Sequence, residues 1–297
     1  MILKKPSEIP DVVRGDKVVA LVDGKGLNIA RVFSSVFGYH GYSCINILGG
    51  EVGRIIESEC NAQKMKTENF WISGSNRINT ALVYEYEDRM LMINEPGPII
   101  DHEEKNSFIT FFEEKLTPGV NIIISGSAPR GFESEDMMRL LDIAEHSNCR
   151  LNIDVAGNWL CEIVSRSPDL LKVNADEFKA SFGIEKGDLR SMEEFRLAHS
   201  IKDLVITDGK NGSVWLCDLE KLRAYSSVIR SRFSVGSGDS FFGGLLYGQQ
   251  KGMSHTESLR LATACGAANT ISYGAAQFEL CDVEKTIDEV VVRRIKC

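Results

Sequence analysis

The pattern of apolar and polar positions changes partway along the chain. From residue 102 onward, helical periodicity alternates with short apolar runs, which predict strands buried on both faces. The predicted helices cover about 102–116, 133–146, 157–165, 239–250 and 255–272. The predicted strands cover 121–124, 150–154, 170–173, 203–207, 214–217 and 224–228. This alternation predicts an α/β domain with a mostly parallel sheet, in which ligands bind at the carboxyl ends of the strands.

The first hundred residues follow a different pattern. Residues 17–22 and 44–48 are strand-like, and apolar residues at helical spacing begin within the loop 24–28. Residues 81–87 and 90–93 flank a polar Asp88-Arg89 pair, which is typical of an antiparallel β-hairpin. We expect the strand at 17–22 to join this hairpin in a small separate sheet.

Composition narrows the class of protein. The chain has 297 residues, 43% of them hydrophobic and 26% charged, which is enough for a large globular core. Its net charge of −8 argues against a broad basic surface for nucleic acid. No apolar run approaches the roughly 20 residues of a membrane span, and the N-terminus lacks a signal-peptide pattern. The eight scattered cysteines predict buried free thiols, so we expect a cytoplasmic protein.

The stretch 234–244 carries the clearest chemical pattern. Gly236, Ser237, Gly238 and Asp239 precede an apolar run that suits a helix start. Small residues expose backbone amides, and a helix N-terminus attracts anions. A carboxylate at the same turn could accept the proton of an attacking hydroxyl, as phosphoryl transfer requires. The alternative is an ordinary glycine turn capped by Ser237 or Asp239.

Further candidate ligands lie near the N-terminal strands and after the strand at 121–124. Lys25, among glycines, could hold a phosphate or orient sugar hydroxyls, and Asn28 could bond a hydroxyl. A plain turn with a solvated lysine is equally compatible. Ser127 could bond a ligand or cap the next helix. Arg77, before the hairpin, could clamp a phosphate or be an ordinary surface arginine.

Two later loops suit a nucleotide. Asn174 would start a helix with Glu177 on the same face, where the pair could order magnesium-bound water. The same spacing also fits a capping box. The glycine turn 207–212 could lie under a nucleotide or simply turn a hairpin.

These loops occur in the order found in the ribokinase-like (PfkB-type) carbohydrate kinases. The resemblance covers about residues 10–295 and rests on the segments 24–31, 49–53, 77–79, 94–98, 125–129, 172–177, 207–212 and 236–239. Within that family the chain is most similar to the branch of 1-phosphofructokinase and tagatose-6-phosphate kinase, through 25–31, 77–79, 94–98 and 234–240.

The resemblance implies one domain over 1–297, a three-layer α/β/α sandwich with a small β lid from about 10–23 and 68–96. The lid could form a homodimer contact. ATP and Mg²⁺ are implied, with Asp239 as general base and the amides of Gly236, Ser237 and Gly238 as an anion hole. The implied substrate ligands are Gly24, Lys25, Asn28, Arg77 and Ser127. The implied nucleotide ligands are Lys172, Asn174, Thr207, Gly209, Gly212, Gly236, Gly238 and Ser272. Asn174 and Glu177 would organise magnesium through water.

Three positions depart from the family pattern. Relatives begin with a strand bearing an Asn-Pro-x-x-Asp segment, which residues 1–16 do not match; 5–7 is a poor remnant. Asp23 replaces the first of two glycines, and Val173 replaces a proline. The main hypothesis is ATP-dependent phosphorylation of fructose 1-phosphate, tagatose 6-phosphate or fructose 6-phosphate to a bisphosphate. The alternatives are a catalytically weakened binder of sugar phosphate or nucleotide, and a kinase for an unphosphorylated sugar or nucleoside.

Overall fold

The strands form three separate sheets in a computed structural model that describes residues 15–84, 89–227 and 233–296. The strands are β1 (Cys44–Gly49), β2 (Thr67–Ile72), β3 (Thr80–Tyr84), β4 (Arg89–Ile93), β5 (Asn121–Ser125), β6 (Arg150–Asp154), β7 (Leu170–Asn174), β8 (Asp203–Thr207), β9 (Ser213–Leu216), β10 (Lys221–Ser226) and β11 (Val290–Arg294). β1 pairs with β2, β3 pairs with β4, and the other seven form the central sheet in the order β11-β10-β9-β8-β7-β6-β5.

The central sheet is mixed. β5, β6, β7 and β8 run parallel to one another, whereas β9, β10 and β11 each pair antiparallel with their neighbours. The four parallel strands are joined through helices, so their carboxyl ends meet at one edge. Leu170, Leu171, Lys172 and Val173 of β7 are all buried, which explains why the central strands are nearly continuous apolar runs.

Helices cover both faces of this sheet and confirm the predicted three-layer sandwich. The helices are α1 (Lys25–Arg31), α2 (Gly50–Ala62), α3 (His102–Lys115), α4 (Ser134–His146), α5 (Asn158–Val164), α6 (Ala175–Phe182), α7 (Leu189–Ala198), α8 (Ser237–Gln250), α9 (His255–Ala268) and α10 (Leu280–Ile287). α3 to α7 contribute to one apolar cluster, and α1, α8 and α9 contribute to another. A π-helical turn, Val32–Val36, extends α1, and a 3-10 turn, Asn269–Ile271, extends α9.

Local sequence explains where several helices start. Asp101, Asn174 and Ser254 each accept a hydrogen bond from the third residue of the helix that follows, and a glutamate there bonds back. These reciprocal bonds satisfy backbone N–H groups that a helix start leaves unpaired. α6 ends at Gly183, whose positive φ of 71° suits glycine at a helix end.

The expected strand at 17–22 was wrong. Residues 17–23 form neither strand nor helix, and residues 15–21 are exposed to solvent. Residues 68–72 of the expected lid lie in β2, which pairs in parallel with β1 and not with the hairpin. The hairpin of β3 and β4 is confirmed and forms a sheet alone. The remaining parts of the expected lid, residues 10–14 and 85–88, and the poor remnant at 5–7 lie outside the described residues, as does residue 228 of the strand expected at 224–228.

In the described part of the chain, no helix combines the length and the apolar character that crossing a membrane requires.

Candidate active site

The turn before α8 leaves backbone amides free at the edge of the central sheet. Gly236 caps α8 with a positive φ of 81°, and a methyl group there would lie 2.4 Å from Ala275 Cβ, so only glycine fits. Ser237 N donates to Ser234 O at 3.2 Å. The N–H groups of Gly236 and Gly238 bond to no described residue. Two free amides at the N-terminus of a 14-residue helix favour an anion.

Asp239 lies in the first turn of α8 and is buried, with 7% of its surface exposed. Its Oδ2 accepts a hydrogen bond of 2.7 Å from Asn28 Nδ2. Burial raises the pKa of the Asp239 carboxyl, and the charge of Asp154 adds to the rise. The Asn28 bond and the ammonium groups of Lys172 and Lys25 oppose it. A carboxylate with a raised pKa is better suited to accept a proton than an ordinary one.

Asn28 joins the start of α1 to the start of α8. Its Nδ2 also donates to Asp23 Oδ1 at 2.7 Å, so Asp239 and Asp23 share one amide nitrogen. Its Oδ1 accepts from Arg31 Nη1 at 2.9 Å, which fixes the orientation of the amide group. Arg31 is itself buried and donates to Val22 O and Ala275 O. Asn28 was expected to bond a substrate hydroxyl. In this structure it is buried and its amide group bonds Asp239, Asp23 and Arg31.

Two lysines converge on Asp154 at the end of β6. Asp154 is fully buried, and its two oxygens bond Lys25 Nζ and Lys172 Nζ, each at 3.1 Å. A methyl group added at Gly238 would lie 3.0 Å from Lys172 Nζ, so this ammonium sits beside the free amides of α8. Burial alone would lower the pKa of Lys25, but the attraction of Asp154 outweighs it and the pKa is raised. Lys172 therefore lies next to the candidate anion hole, and Lys25 is joined to it through Asp154.

A cavity of about 1770 Å³ opens beside these groups. Asp23, Gly24, Lys25, Gly236 and Asp239 line it. The expected substrate ligands Arg77 and Ser127 also line it, and both are exposed. Ser127 caps no described helix, because α4 begins after Glu133, so the alternative of a capping serine does not apply.

The expected nucleotide ligands follow β7 and β8 along the same sheet edge. Asn174 and Thr207 are neighbours in the register of these strands. Asn174 and Glu177 form a capping box, and the glycine turn from Gly209 to Gly212 joins the antiparallel strands β8 and β9. The structure therefore contains both of the structural alternatives, the capping box at 174–177 and the hairpin turn at 207–212. Of the expected nucleotide set, only Gly236 lines the cavity; Lys172, Asn174, Thr207, Gly209, Gly212, Gly238 and Ser272 do not.

Two residues that organise the site were missed by sequence reasoning. Asp154 is the last residue of a predicted strand. Its position at the carboxyl end of that strand could have identified it as a site residue. Asn269 is fully buried and donates to Val235 O and to Ser237 Oγ, while its Oδ1 accepts from Ser240 Oγ and Ala276 N. It holds the turn before α8 against the loop that follows α9, and nothing in its local sequence indicates this.

The arrangement of a buried carboxylate, free helix amides and a buried ammonium agrees with a match to a known family. A family model described as pfkB family carbohydrate kinase matches residues 2–280. The chain belongs to the pfkB family. As a pfkB-family carbohydrate kinase, it is a phosphotransferase that acts on a sugar hydroxyl.

Its relatives agree with the branch expected from the sequence. A D-tagatose-1-phosphate kinase of Bacillus licheniformis is 27% identical over 296 residues, covering 97% of this chain and 93% of that protein. A 1-phosphofructokinase of Bacillus subtilis is 27% identical over 282 residues, covering 92% and 88%. A structure of phosphofructokinase-2 from Escherichia coli superimposes with a TM-score of 0.82 at 22% identity, covering 94% and 92%, and shares the ribokinase-like fold.

Proposed function

We propose that this pfkB-family kinase transfers the γ-phosphoryl group of ATP to a hydroxyl of a phosphorylated ketohexose, giving a bisphosphate. The observation that carries the proposal is the buried Asp239 carboxylate in the same turn as two free amides, with the Lys172 ammonium of β7 beside that turn. A base, an anion hole and a neighbouring cation are what in-line phosphoryl transfer needs.

Asp239 acts as the general base in this proposal. Asn28 holds Oδ2, which leaves Oδ1 to accept the proton of the sugar hydroxyl. The oxygen freed of its proton attacks the γ-phosphorus, and the bond to the bridging oxygen of ADP breaks. Because burial raises the pKa of Asp239, its carboxylate is a better proton acceptor than that of an exposed aspartate.

Lys172 and the amides of Gly236 and Gly238 stabilise the charge on the transferred phosphoryl group. One observation supports a fit to ATP. Because Gly238 has no side chain, there is room for an oxyanion beside Lys172 Nζ. Ser237 contributes to the turn but not through its own amide, which donates to Ser234. Thr207, Gly209, Gly212 and Ser272 remain proposed contacts of the nucleotide base and ribose.

Magnesium fits the site only through water. Asn174 Oδ1 and Glu177 Oε2 are engaged in their capping box, at 2.8 and 3.4 Å from the paired nitrogens. The other carboxylate oxygen of Glu177, a cavity-lining residue, can accept from a hydrated ion. Bound there, the ion would neutralise charge on the β- and γ-phosphates.

Arg77 is the proposed ligand of the substrate phosphate. It is exposed on the cavity wall and forms no ion pair with a described residue. Lys25, in contrast, already pairs with Asp154, so it can serve the sugar only by sharing that charge. The names of the two relatives, a tagatose-1-phosphate kinase and a 1-phosphofructokinase, support a hexose that already carries one phosphate.

The β3–β4 hairpin is the proposed lid over the sugar. Val83 and Met92 each leave 38% of their surface exposed. These apolar surfaces suit a contact with the loops of the sugar site or with a second copy of the chain. Homodimerisation through the hairpin predicts that Val83→Asp lowers the molar mass measured by light scattering, whereas Leu219→Asp in the β9–β10 turn does not.

Coupled ADP release with a substrate panel tests the proposed function. The panel contains fructose 1-phosphate, fructose 6-phosphate, tagatose 1-phosphate and tagatose 6-phosphate, with fructose, tagatose and adenosine for comparison. We expect turnover with at least one phosphosugar and none with the unphosphorylated compounds. Equal turnover of fructose and its phosphates would instead identify a kinase for free sugars.

A second candidate is a catalytically weakened binder of sugar phosphate or nucleotide. It is favoured by the Asn28 amide, which Asp239 shares with the second carboxylate Asp23. This candidate predicts no ADP above background with any acceptor, together with saturable heat of binding for a phosphosugar or ATP. Detectable turnover of any phosphosugar rules it out.

A further inference from the structure

Three side chains that commonly bind metals, those of Asp203, Cys217 and His255, lie together away from the candidate active site. Each offers one ligand atom, and the three atoms lie within 4.8 Å of one another. Among the described residues, no other group of three or more His, Cys, Asp and Glu side chains has this arrangement. We call these three residues the 203–217–255 cluster.

The topology of the central sheet brings the cluster together. β8 and β9 are antiparallel, and their register pairs Leu204 with Leu216. Asp203, which starts β8, is therefore opposite Cys217, which follows the last residue of β9. His255 is the first residue of α9, and its Nδ1 lies 4.0 Å from Cys217 Sγ. An ion bound by all three would join the sheet to α9.

The cluster is remote from the groups proposed for phosphoryl transfer. Asp154 and Asn174 are the last residues of β6 and β7, which run parallel to β8, whereas Asp203 is the first residue of β8. The four residue steps of β8, about 3.3 Å each, separate Asp203 from the carboxyl-end edge by roughly 13 Å. The cluster is therefore distinct from the proposed magnesium position at Asn174 and Glu177.

Trp215 orients two of the three side chains. Its Nε1 donates to Asp203 Oδ1 at 2.7 Å, so the other carboxylate oxygen can face a cation. The ring of His255 packs edge-on against Trp215, with 4.7 Å between the ring centroids and 69° between the ring planes. Trp215 is itself 1% exposed, so packing fixes its position. Supporting contacts of this kind are typical of metal ligands.

We propose that the 203–217–255 cluster binds one Zn²⁺ ion through a carboxylate, a thiolate and an imidazole. Zinc accepts oxygen, sulfur and nitrogen ligands together, whereas Mg²⁺ takes oxygen ligands, so this donor set favours zinc. Zn–S and Zn–N bonds in tetrahedral geometry place sulfur and nitrogen about 3.5 Å apart. The distance of 4.0 Å between Cys217 Sγ and His255 Nδ1 therefore needs only a small side-chain movement. A water molecule completes the fourth position.

Charge and access both suit a divalent cation. A thiolate and a carboxylate together offset the two charges of the ion, and a neutral imidazole adds none. Binding forms a Zn–S bond and releases the thiol proton to solvent, so the 3.2 Å hydrogen bond from Cys217 Sγ to Glu220 O is lost. Asp203 and His255 are half-buried and line the large cavity, so an ion can reach them from solvent.

A neighbouring guanidinium is already offset by other carboxylates. Burial raises the pKa of the Asp203 carboxyl and of the Cys217 thiol, and the charge of Arg196 opposes both rises. Arg196 Nε donates to Glu193 and its Nη2 donates to Asp218, each at 2.8 Å. These two carboxylates reduce its repulsion of a bound ion. A coordinated thiol is deprotonated by the metal itself, so burial of the free thiol does not prevent binding.

Titration of the metal-free full chain with Co²⁺ tests the proposal, because Co²⁺ occupies zinc sites and absorbs light when a thiolate coordinates it. We expect one Co²⁺ per chain, a thiolate-to-cobalt absorption band, and loss of that band when Zn²⁺ is added. No such band under saturating Co²⁺ would overturn the proposal. The readout needs no kinase activity, so its failure is distinct from failure of the proposed function.

Single substitutions assign the ligands. Cys217→Ser keeps the shape of the side chain and should abolish the band. Asp203→Asn keeps an oxygen for the Trp215 bond but removes the charge. We expect Asp203→Asn and His255→Ala each to weaken Zn²⁺ binding at least tenfold, measured by competition with a coloured chelator. Wild-type affinity in both of these variants would overturn the three-ligand site.

Matched controls separate this site from adventitious binding. Cys161→Ala, at an exposed thiol of α5, and His146→Ala, at an exposed imidazole that ends α4, should bind zinc like wild type. A band that survives in Cys217→Ser and disappears in Cys161→Ala would assign the metal to the exposed thiol and overturn the proposal. Zn²⁺ should also raise the melting temperature of wild type but not of Cys217→Ser. An equal rise in both would mean that zinc binds elsewhere.

Discussion

Two helix starts meet at the cavity, and the chain supports them in different ways. The turn before α8 is held by Asn269, which is fully buried, and its aspartate is 7% exposed. The turn before α1 carries the exposed Asp23 and follows the exposed residues 15–21. The same fold therefore contains one rigidly supported turn and one that rests on few contacts.

This difference separates the two halves of the proposed reaction. Groups that would act on phosphate (Asp239, Lys172 and the α8 amides) are buried or fixed by buried partners, so they are in place before any ligand arrives. Groups that would hold the sugar (Arg77 and Ser127) are exposed and form few bonds with the protein. We therefore expect substitutions on the phosphate side to lower kcat and those on the sugar side to change KM.

The largest effect is expected for Asp239→Asn. Loss of the general base should lower kcat by about 10³-fold while the Kd for ATP changes little. Burial raises the pKa of Asp239, so the ionised form is disfavoured in the folded protein relative to the unfolded chain. The stability penalty is therefore fully present above the raised pKa and fades as the pH falls below it. The Asp239→Asn variant should accordingly melt no lower than wild type at neutral pH.

Steady-state ADP release, calorimetric ATP titration and thermal melting measure these quantities. Asp142→Asn is the matched control, because Asp142 is a half-exposed carboxylate on α4 that pairs with Arg166 outside the cavity. A variant that retains more than a tenth of wild-type kcat would remove Asp239 from the role of base.

A smaller loss of turnover, with a loss of stability, is expected for Lys172→Met. Removing the ammonium should lower kcat by about 10²-fold, as loss of one transition-state donor does. Asp154 would keep only Lys25, and breaking a buried ion pair costs about 3 kcal/mol in the free energy of unfolding.

The double variant Lys172→Met with Asp154→Asn separates the two effects. Removing the buried negative charge as well should restore most of the unfolding free energy, measured by urea denaturation, but not kcat. Recovery of kcat would show that Lys172 acts only by pairing with Asp154.

On the sugar side, Arg77→Ala should raise the KM for the phosphosugar roughly tenfold, the value of one charged hydrogen bond. The kcat and the KM for ATP should change little, because Arg77 is not among the groups that would act on the transferred phosphoryl group. Arg54→Ala, at an exposed arginine of α2 that lies over Trp71, is the control. An unchanged phosphosugar KM would assign the substrate phosphate to Lys25 instead.

The two regions also differ in how far sequence could predict them. Strands β5 to β10 were predicted to within about three residues, because burial on both faces imposes a continuous apolar run, whereas β11 was not predicted. The turn at 236–239 was predicted because its chemistry is local. Residues 17–22 have an equally good strand pattern, but a strand also requires a partner edge, and local sequence carries no information about that edge.

Long-range partners explain the remaining differences. Asp154 bonds Lys25 across 129 positions of sequence, so its position at a strand end was predictable but its two lysines were not. Asn269 bonds Val235 across 34 positions from within an unremarkable helical segment. Such roles are defined only when the packed elements meet.

The smallest effect is expected at Asp23. Its exposed carboxylate lines the cavity and accepts from the same Asn28 nitrogen as Asp239, each at 2.7 Å. Repulsion between this charge and an anionic phosphosugar, about 1 kcal/mol or less near water, predicts that Asp23→Gly lowers the phosphosugar KM about threefold. The gain should shrink in roughly 0.5 M salt, where screening is stronger. Asp23→Asn removes the charge and keeps the shape. It should match Asp23→Gly if repulsion alone acts, whereas a raised KM in both variants would mean that Asp23 binds a sugar hydroxyl.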